Sequence, residues 1–252
     1  MTDATAHQAN GHPANGHPAN EHPADPLNAP SVYANAALPD GGPVPANGAG
    51  SSGDRMGTEK QTAAMGGAHR FVGLAENLER YAGDPTGAEP PNVRGDNRGY
   101  GLVFFNLERY HLSTVISSGL RFQPLGAEPA QELACTVYKE QVDAARHLVD
   151  ATAELLVSGE THLVPDQIVP NRQPLLPNTE FHGVLASGHP AFPPEFTRFT
   201  DAQGVEQLQV FTLLPVTMGE LNFILDNGVS SLRQQWARFQ VDVFDLGRPS
   251  IA

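Results

Sequence analysis

Apolar residues recur with the period of an α-helix at several places after residue 67. Phe71, Leu74, Leu78 and Tyr81 fall on one face, and the pattern ends at the breaker Gly83-Asp84-Pro85. Spacings of three and four residues are typical of an amphipathic helix packed against a core. The same reasoning predicts helices over residues 71–81, 142–155, 218–226 and 229–239, with Asn227-Gly228 as a cap between the last two.

Alternating or continuous apolar runs predict the strands. Leu133, Cys135 and Val137 share one face of a strand over 131–138. Further strands are predicted over 101–105, 111–118 and 181–185, with a hairpin formed by 196–199 and 205–214. The tail 241–252 is predicted to be extended, and the proline-rich stretch 165–177 is too irregular to form a core element. Helices and strands without strict alternation predict an α+β domain over residues 67–252.

Residues 1–66 have a different character. They contain eight Pro and nine Gly, but only four residues from Leu, Ile, Val and Phe. Asn10-Gly-His-Pro-Ala14 recurs as Asn15-Gly-His-Pro-Ala19 and, with one change, as Asn20-Glu-His-Pro-Ala24. A five-residue unit is too short for a solenoid repeat, and it offers too little apolar surface to offset the entropy of ordering. The segment is therefore predicted to be a disordered arm.

Composition excludes several classes of protein. One cysteine in 252 residues excludes a disulfide framework and a multi-thiolate metal centre. No apolar stretch reaches the length of a membrane span, and the N-terminus lacks the pattern of a secretory signal, so a cytoplasmic protein is expected. The net charge of −13 argues against nucleic acid as the main partner.

Histidine is the first candidate for chemistry. His12, His17 and His22 lie five residues apart and could chelate Zn²⁺ or Ni²⁺, although a low-complexity spacer is the preferred interpretation. The later histidines show no metal-ligand spacing, and His182, inside a predicted strand, is interpreted as a structural residue in preference to a base. No metal and no cofactor is expected.

Nucleophile and phosphate-binding motifs are also missing. The sequence has no Gly-x-Ser-x-Gly, no phosphate loop and no dinucleotide fingerprint. Cys135 is predicted to be a buried thiol with a high pKa, because it shares a face with apolar neighbours. Paired carboxylates such as Glu76/Glu79 and Asp150/Glu154 fall on solvated helix faces. We therefore predict no catalytic, cofactor-binding or metal-binding residues, and no enzyme.

Charge belongs largely to the predicted domain. Residues 61–252 hold 22 acidic against 13 basic side chains, an excess of nine negative charges. An acidic field accelerates encounter with a basic partner, but it also serves solubility alone.

The order of segments resembles the suppressor of fused (SUFU) domain family, in its bacterial form. The pieces that carry the resemblance lie in order along the chain: Glu79-Arg-Tyr-Ala-Gly83, Phe104-Phe-Asn106, Phe181-His-Gly-Val-Leu185, Leu213-Leu-Pro-Val-Thr217 with the following Glu220, and Phe244-Asp-Leu-Gly-Arg-Pro-Ser250. The resemblance spans about residues 70–250. It excludes the arm, and the insert 164–179 departs from the family pattern.

The resemblance implies a domain that binds other proteins and has no catalytic residues to carry over. Eukaryotic members sequester a transcription factor, and many bacterial members look like immunity proteins that neutralise polymorphic toxins. The leading hypothesis is an immunity protein whose acidic face occludes a basic toxin, anchored by exposed phenylalanines of the loop 188–199.

Two alternatives remain. In the first, the chain is an adaptor or regulator, with residues 1–66 as tether or docking segment. In the second, it is an undetected hydrolase using His182 or His111. The partner's identity, the binding face and the oligomeric state stay open at this stage.

Overall fold

A computed structural model describes residues 69–91 and 99–252, so the predicted arm and its histidine repeats lie outside the described residues. The helices are α1 (Leu74–Ala82), α2 (Val142–Gly159), α3 (Pro194–Thr197), α4 (Met218–Asn227) and α5 (Val229–Arg238). The strands are β1 (Asp84–Glu89), β2 (Gly101–Leu107), β3 (Leu112–Ser118), β4 (Ala130–Tyr138), β5 (Ile168–Pro170), β6 (Phe181–Ser187), β7 (Arg198–Thr200) and β8 (Glu206–Thr217). Helices and strands in this mixture confirm the predicted α+β class.

All the strands of the described residues join one sheet. Its order is β1-β2-β3-β4-β8-β6-β5, and β7 also pairs with β8. The β4–β8 pair is parallel, whereas every other pair is antiparallel. The long strand β8 therefore links an N-terminal meander to the C-terminal strands.

The sheet is covered on both faces. Phe211 and Leu213 of β8 join the cluster packed under α2, together with Leu133, Cys135 and Val137 of β4. The alternate β8 residues point the other way, as the period of a strand requires. There Leu208 and Val210 pack with α1 and α3, and Leu214 and Val216 pack with α4 and α5. Burial of both faces explains why β4 is buried from Gln131 to Val137.

The end of α1 shows how a local rule sets the chain's path. Gly83 has φ of 91°, and a Cβ there would lie 2.2 Å from the carbonyl oxygen of Asn106. Only glycine tolerates both the left-handed backbone and this close approach. The chain can therefore turn directly from α1 into β1 and pair with β2.

Four local predictions were wrong. The proline-rich stretch contributes to the core after all, since β5 pairs with β6 and Val169, Leu175 and Leu176 are buried. The tail 241–252 forms turns instead of a strand, and Phe196 lies in the helical turn α3. The strand β1 was not predicted at all, because proline and glycine, present here as Pro85 and Gly87, are both depleted in strands. An exposed edge strand tolerates both residues, since its outer N–H groups have no ladder partner.

No helix in the described ranges is both long and apolar enough to cross a membrane.

Candidate functional site

The structure separates the histidines that were considered as catalytic residues. His111 is exposed in the turn before β3, and His182 is half-buried near the start of β6. His182 lines a cavity with Thr217 and Ser250, but those two hydroxyls bond to each other at 2.7 Å. Within the described residues no group of three His, Cys, Asp or Glu side chains could hold a metal ion.

Cys135 lies where the alternation placed it, fully buried under α2. Burial raises the pKa of its thiol to about 12, in the predicted direction, and a thiol that stays protonated is a poor nucleophile. We expect iodoacetamide at pH 8 to leave the native protein unlabelled and to add one carbamidomethyl group after unfolding in guanidinium, as measured by intact mass. Full labelling of the native protein would contradict this burial.

A buried ion pair joins the last helices to the tail. Arg248 donates from Nη1 to Glu220 Oε1 at 2.7 Å and from Nη2 to Glu220 Oε2 at 2.9 Å. Trp236 Nε1 donates to the same carboxylate at 2.8 Å, and the Thr217 backbone N–H at 2.9 Å. Burial acts to raise the pKa of Glu220, but these donors together hold it below its ordinary value. This network is structural, since its members satisfy one another.

A second buried carboxylate lies in β4. Glu132 accepts from the Ser117 hydroxyl at 2.5 Å, from the Gly119 N–H at 2.9 Å and from Arg121 Nη1 at 2.6 Å. Burial raises the pKa of Glu132, although Arg121 and Ser117 oppose that shift. Arg121 uses one nitrogen in this contact, and its Nε is buried without a hydrogen-bond partner among the described residues. Neither Glu132 nor Arg121 was predicted from the sequence.

Beside this carboxylate lies a groove between α1 and the sheet, which we call the α1 groove. Its cavity has a volume of about 260 Å³. Glu132, Arg121 and Ser117 line one part of it. The rest is mostly apolar and includes Phe71, Leu78, Pro85, Val103, Phe105 and Ile116.

A partly exposed patch borders the α1 groove. It consists of Arg70, Phe71, Val72, Arg121 and Phe122, and we call it the arginine–phenylalanine patch. Phe122 is 57% exposed and Val72 is 74% exposed. The Phe71 and Phe122 rings meet edge to face at 5.7 Å, and the Arg121 guanidinium lies 4.5 Å from the Phe122 ring centroid. Aromatic residues and arginine are the side chains that most often dominate protein–protein interfaces.

The loop predicted to supply apolar anchors does not present them. Phe196 and Phe199 are buried, and Phe192 is half-buried and stacked on His189 with ring centroids 3.7 Å apart. The prediction of exposed anchors in residues 188–199 was therefore wrong, because these rings fill the second face of the sheet. Exposed carboxylates do occur on α1, where Glu76 and Glu79 face solvent.

The described residues thus define a mixed α/β domain in which the buried charges of β4 and α4 are paired internally. The chain belongs to the suppressor of fused protein (SUFU) family, whose model matches residues 98–249, more than half of the chain. This match confirms the resemblance carried by the sequence segments. No curated protein matches the chain.

The solved structures that are similar to it include the following two. A putative SUFU homologue from Neisseria gonorrhoeae is 16% identical with a TM-score of 0.53, over 73% of this chain and 98% of that chain. A chain from the Sufu–Fu complex crystal structure is 10% identical with a TM-score of 0.48, over 75% of this chain and 90% of that chain. The first likeness supports the fold.

Proposed function

We propose that this domain binds another protein without catalysing a reaction, and that it is a cytoplasmic immunity protein neutralising a cognate polymorphic toxin by direct occlusion. The observation that carries the proposal is the continuity of the α1 groove with the arginine–phenylalanine patch. An aromatic pair in which Phe122 is exposed and Phe71 is half-buried lies next to this apolar cavity, and such a surface is typical of one that a partner covers.

The internal pairing of polar groups supports a role without catalysis. Glu220 is committed to Arg248, and Glu132 to Ser117 and Arg121. His189 Nδ1 accepts the backbone N–H groups of Ala191 and Phe192 at 3.2 and 3.0 Å, so Nε2 carries the proton that it donates to Thr136. A general base needs a free acceptor near a substrate, and these groups offer none.

Charge supports a basic partner. The excess of nine acidic side chains in residues 61–252 produces a field that attracts a positively charged toxin domain over distances beyond direct contact. Such a field raises the association rate, while burial of Phe122 and Val72 slows dissociation.

The alternative is an adaptor or regulator in which the predicted arm acts as tether. What favours it is the length of that segment, since 66 residues of flexible chain would have a root-mean-square reach of about 45 Å. A toxin blocker that works by occlusion needs no such tether.

Co-expression with a toxin encoded beside the gene tests the proposal. We expect the full chain to restore growth and to co-purify with the toxin at 1:1 stoichiometry, and deletion of residues 1–66 to leave protection unchanged. Loss of protection on deletion, with folding retained, would favour the adaptor. Absence of any stoichiometric partner would contradict the binding function. A chain with both His111→Ala and His182→Ala should protect fully. Loss of protection in this variant would support the alternative that the protein is a hydrolase.

A further inference from the structure

We propose that the α1 groove anchors a segment of the partner protein that carries an aliphatic side chain next to an aspartate or glutamate. The inference rests on the proposed binding function and specifies the partner's chemistry at one place. Its two halves are the apolar cavity and the unused donor edge of Arg121.

The apolar half selects the aliphatic side chain. Phe71, Leu78, Val103 and Ile116 line a cavity of about 260 Å³, which accommodates a side chain of the size of leucine or methionine. Ala75 lies at its rim on α1 and is exposed. A side chain entering past Ala75 would remove apolar surface from water on both partners.

The polar half selects the carboxylate. Arg121 Nη1 donates to Glu132 at 2.6 Å, whereas the buried Nε has no hydrogen-bond partner in the described chain. The N–H bonds of Nε and Nη2 point from the same edge of the planar guanidinium, and that edge matches the two oxygens of a carboxylate. An acid bound there would satisfy the orphaned donor without displacing Glu132.

A second cavity, of about 320 Å³, continues from Arg121. Arg70 lines it, with Glu128 at 4.0 Å from Arg70 Nη2. Gln123 lines it as well. Its Nε2 donates to the Gly99 carbonyl at 2.8 Å, whereas its buried Oε1 has no hydrogen-bond partner in the part of the chain that the structure describes. A peptide segment supplies both a carboxylate for Arg121 and a backbone N–H for Gln123 Oε1.

Two exposed apolar side chains beside the groove, Phe122 and Val72, point to a protein segment as the occupant. A small acid held between Arg121 and the cavity would leave Phe122 and Val72 in water, at 57% and 74% exposure. A chain crossing the groove would cover Phe122 as well, because its ring packs against Phe71 and Arg121, which line the groove. The partner needs only one acidic residue at this position, and it can still be basic as a whole. Salt screens the interaction between exposed charges beyond about 10 Å, so the contact with Arg121 depends on the local residue and not on the partner's net charge.

Peptide selection on the full-length chain tests the inference. A random phage-displayed dodecapeptide library supplies the probes, and binding of synthetic selected peptides is measured by fluorescence anisotropy. We expect an aliphatic residue within two positions of an aspartate or glutamate. Replacing that acid by its amide should weaken binding by about tenfold or more.

Two variants locate the contact. Arg121→Lys retains a cation beside Glu132, so the fold should persist. The variant lacks the paired N–H donors of the guanidinium, so it should bind the selected peptide about tenfold more weakly. Ala75→Trp adds bulk at the exposed rim, and because the indole would obstruct the cavity this variant should lose binding altogether. The matched control is Arg238→Lys, which changes another arginine packed on a neighbouring phenylalanine, 5.4 Å from the Phe239 ring centroid. It should bind as the parent chain does.

Four results would overturn the inference, and the last of them separates it from the proposed function. The first is a selection that enriches no peptide, or only peptides without an acid. The second is equal binding by the parent chain, Arg121→Lys and Ala75→Trp. The third is self-association lost in Ala75→Trp, which would assign the groove to a second copy of the chain. A toxin bound equally well by both variants would reject the groove while leaving the proposed function intact.

Discussion

Replacing Arg248 by alanine is expected to lower the free energy of unfolding by about 3–5 kcal/mol. The Arg248 side chain is 5% exposed and the Glu220 side chain is 0% exposed, so the substitution leaves an ion buried without its counter-charge. It also removes the donor to the Pro215 carbonyl at 3.1 Å and the packing on the rings of Phe181 and Trp236. Urea unfolding followed by tryptophan fluorescence measures the loss, since Trp236 is the only tryptophan.

Two controls separate the ion pair from other effects. Arg238→Ala removes an exposed arginine and should change stability by no more than about 0.5 kcal/mol. The double variant Glu220→Gln with Arg248→Met removes both charges, and we expect it to be more stable than Arg248→Ala alone, because no unpaired ion remains. A loss below about 1 kcal/mol for Arg248→Ala would show that the pair does not hold the tail in place.

Stability should fall on mild acidification, and His189 should account for much of the change. Burial lowers the pKa of His189 to about 3 in the folded state, against an ordinary value of 6.5. At pH 5 His189 is therefore protonated in the unfolded chain and neutral in the folded chain. The contribution is fully present above pH 6.5 and is lost as pH falls towards 3, at about 1.4 kcal/mol per pH unit.

The expected result is a loss of roughly 2 kcal/mol between pH 7 and pH 5 from this one residue, measured by urea unfolding at each pH. His189→Asn is the control, because its side-chain oxygen can still accept the Ala191 and Phe192 N–H groups but does not titrate. Its stability should be lower at pH 7 and should vary less with pH. His147, whose pKa burial also lowers, is tested separately by His147→Gln. Parallel curves for the parent chain and His189→Asn would contradict the assignment.

The motif residues that carried the family resemblance have a physical explanation in this network. Thr217 caps α4 by accepting from the Glu220 N–H at 3.2 Å, and Glu220 receives Arg248 from the tail. Ser250 bonds to the Thr217 hydroxyl at 2.7 Å. The segments ending at Thr217 and Ser250 are thus two sides of one buried contact. The sequence showed that these segments follow one another in the order typical of the family, but it did not show that they are in contact.

Long periodic segments were predictable, and short or edge segments were not. α2 and β4 were predictable because they carry many apolar residues at a regular spacing. These residues pack against a continuous core. Five of the six residues of β1 are exposed, so its sequence shows no alternation of apolar and polar residues from which a strand could be predicted. β5 is three residues long and is held by pairing with β6, a partner that sequence spacing cannot identify.

The candidate site shows the same division. The absence of nucleophile and phosphate motifs was visible in the sequence, as was the burial of Cys135. Arg121 and Phe122 carry no local signal beyond standing next to each other after Gly119. Their importance comes from Glu132, 11 residues away from Arg121, and from Phe71, which the fold brings within 5.7 Å of Phe122. The loop phenylalanines were misjudged because a loop in sequence can still pack under a sheet.

The sequence by itself determined the helices and strands with a clear hydrophobic period, the acidic charge, the single buried thiol and the order of family segments. Each of these depends on residue type and on neighbours within a few positions. Only the tertiary structure decided which polar groups are paired in the interior and which apolar rings stay exposed. Burial and pairing arise between residues far apart in the chain. For this reason the ion pair of Glu220 with Arg248 and the orphaned donor of Arg121 emerged only when the sheet was assembled.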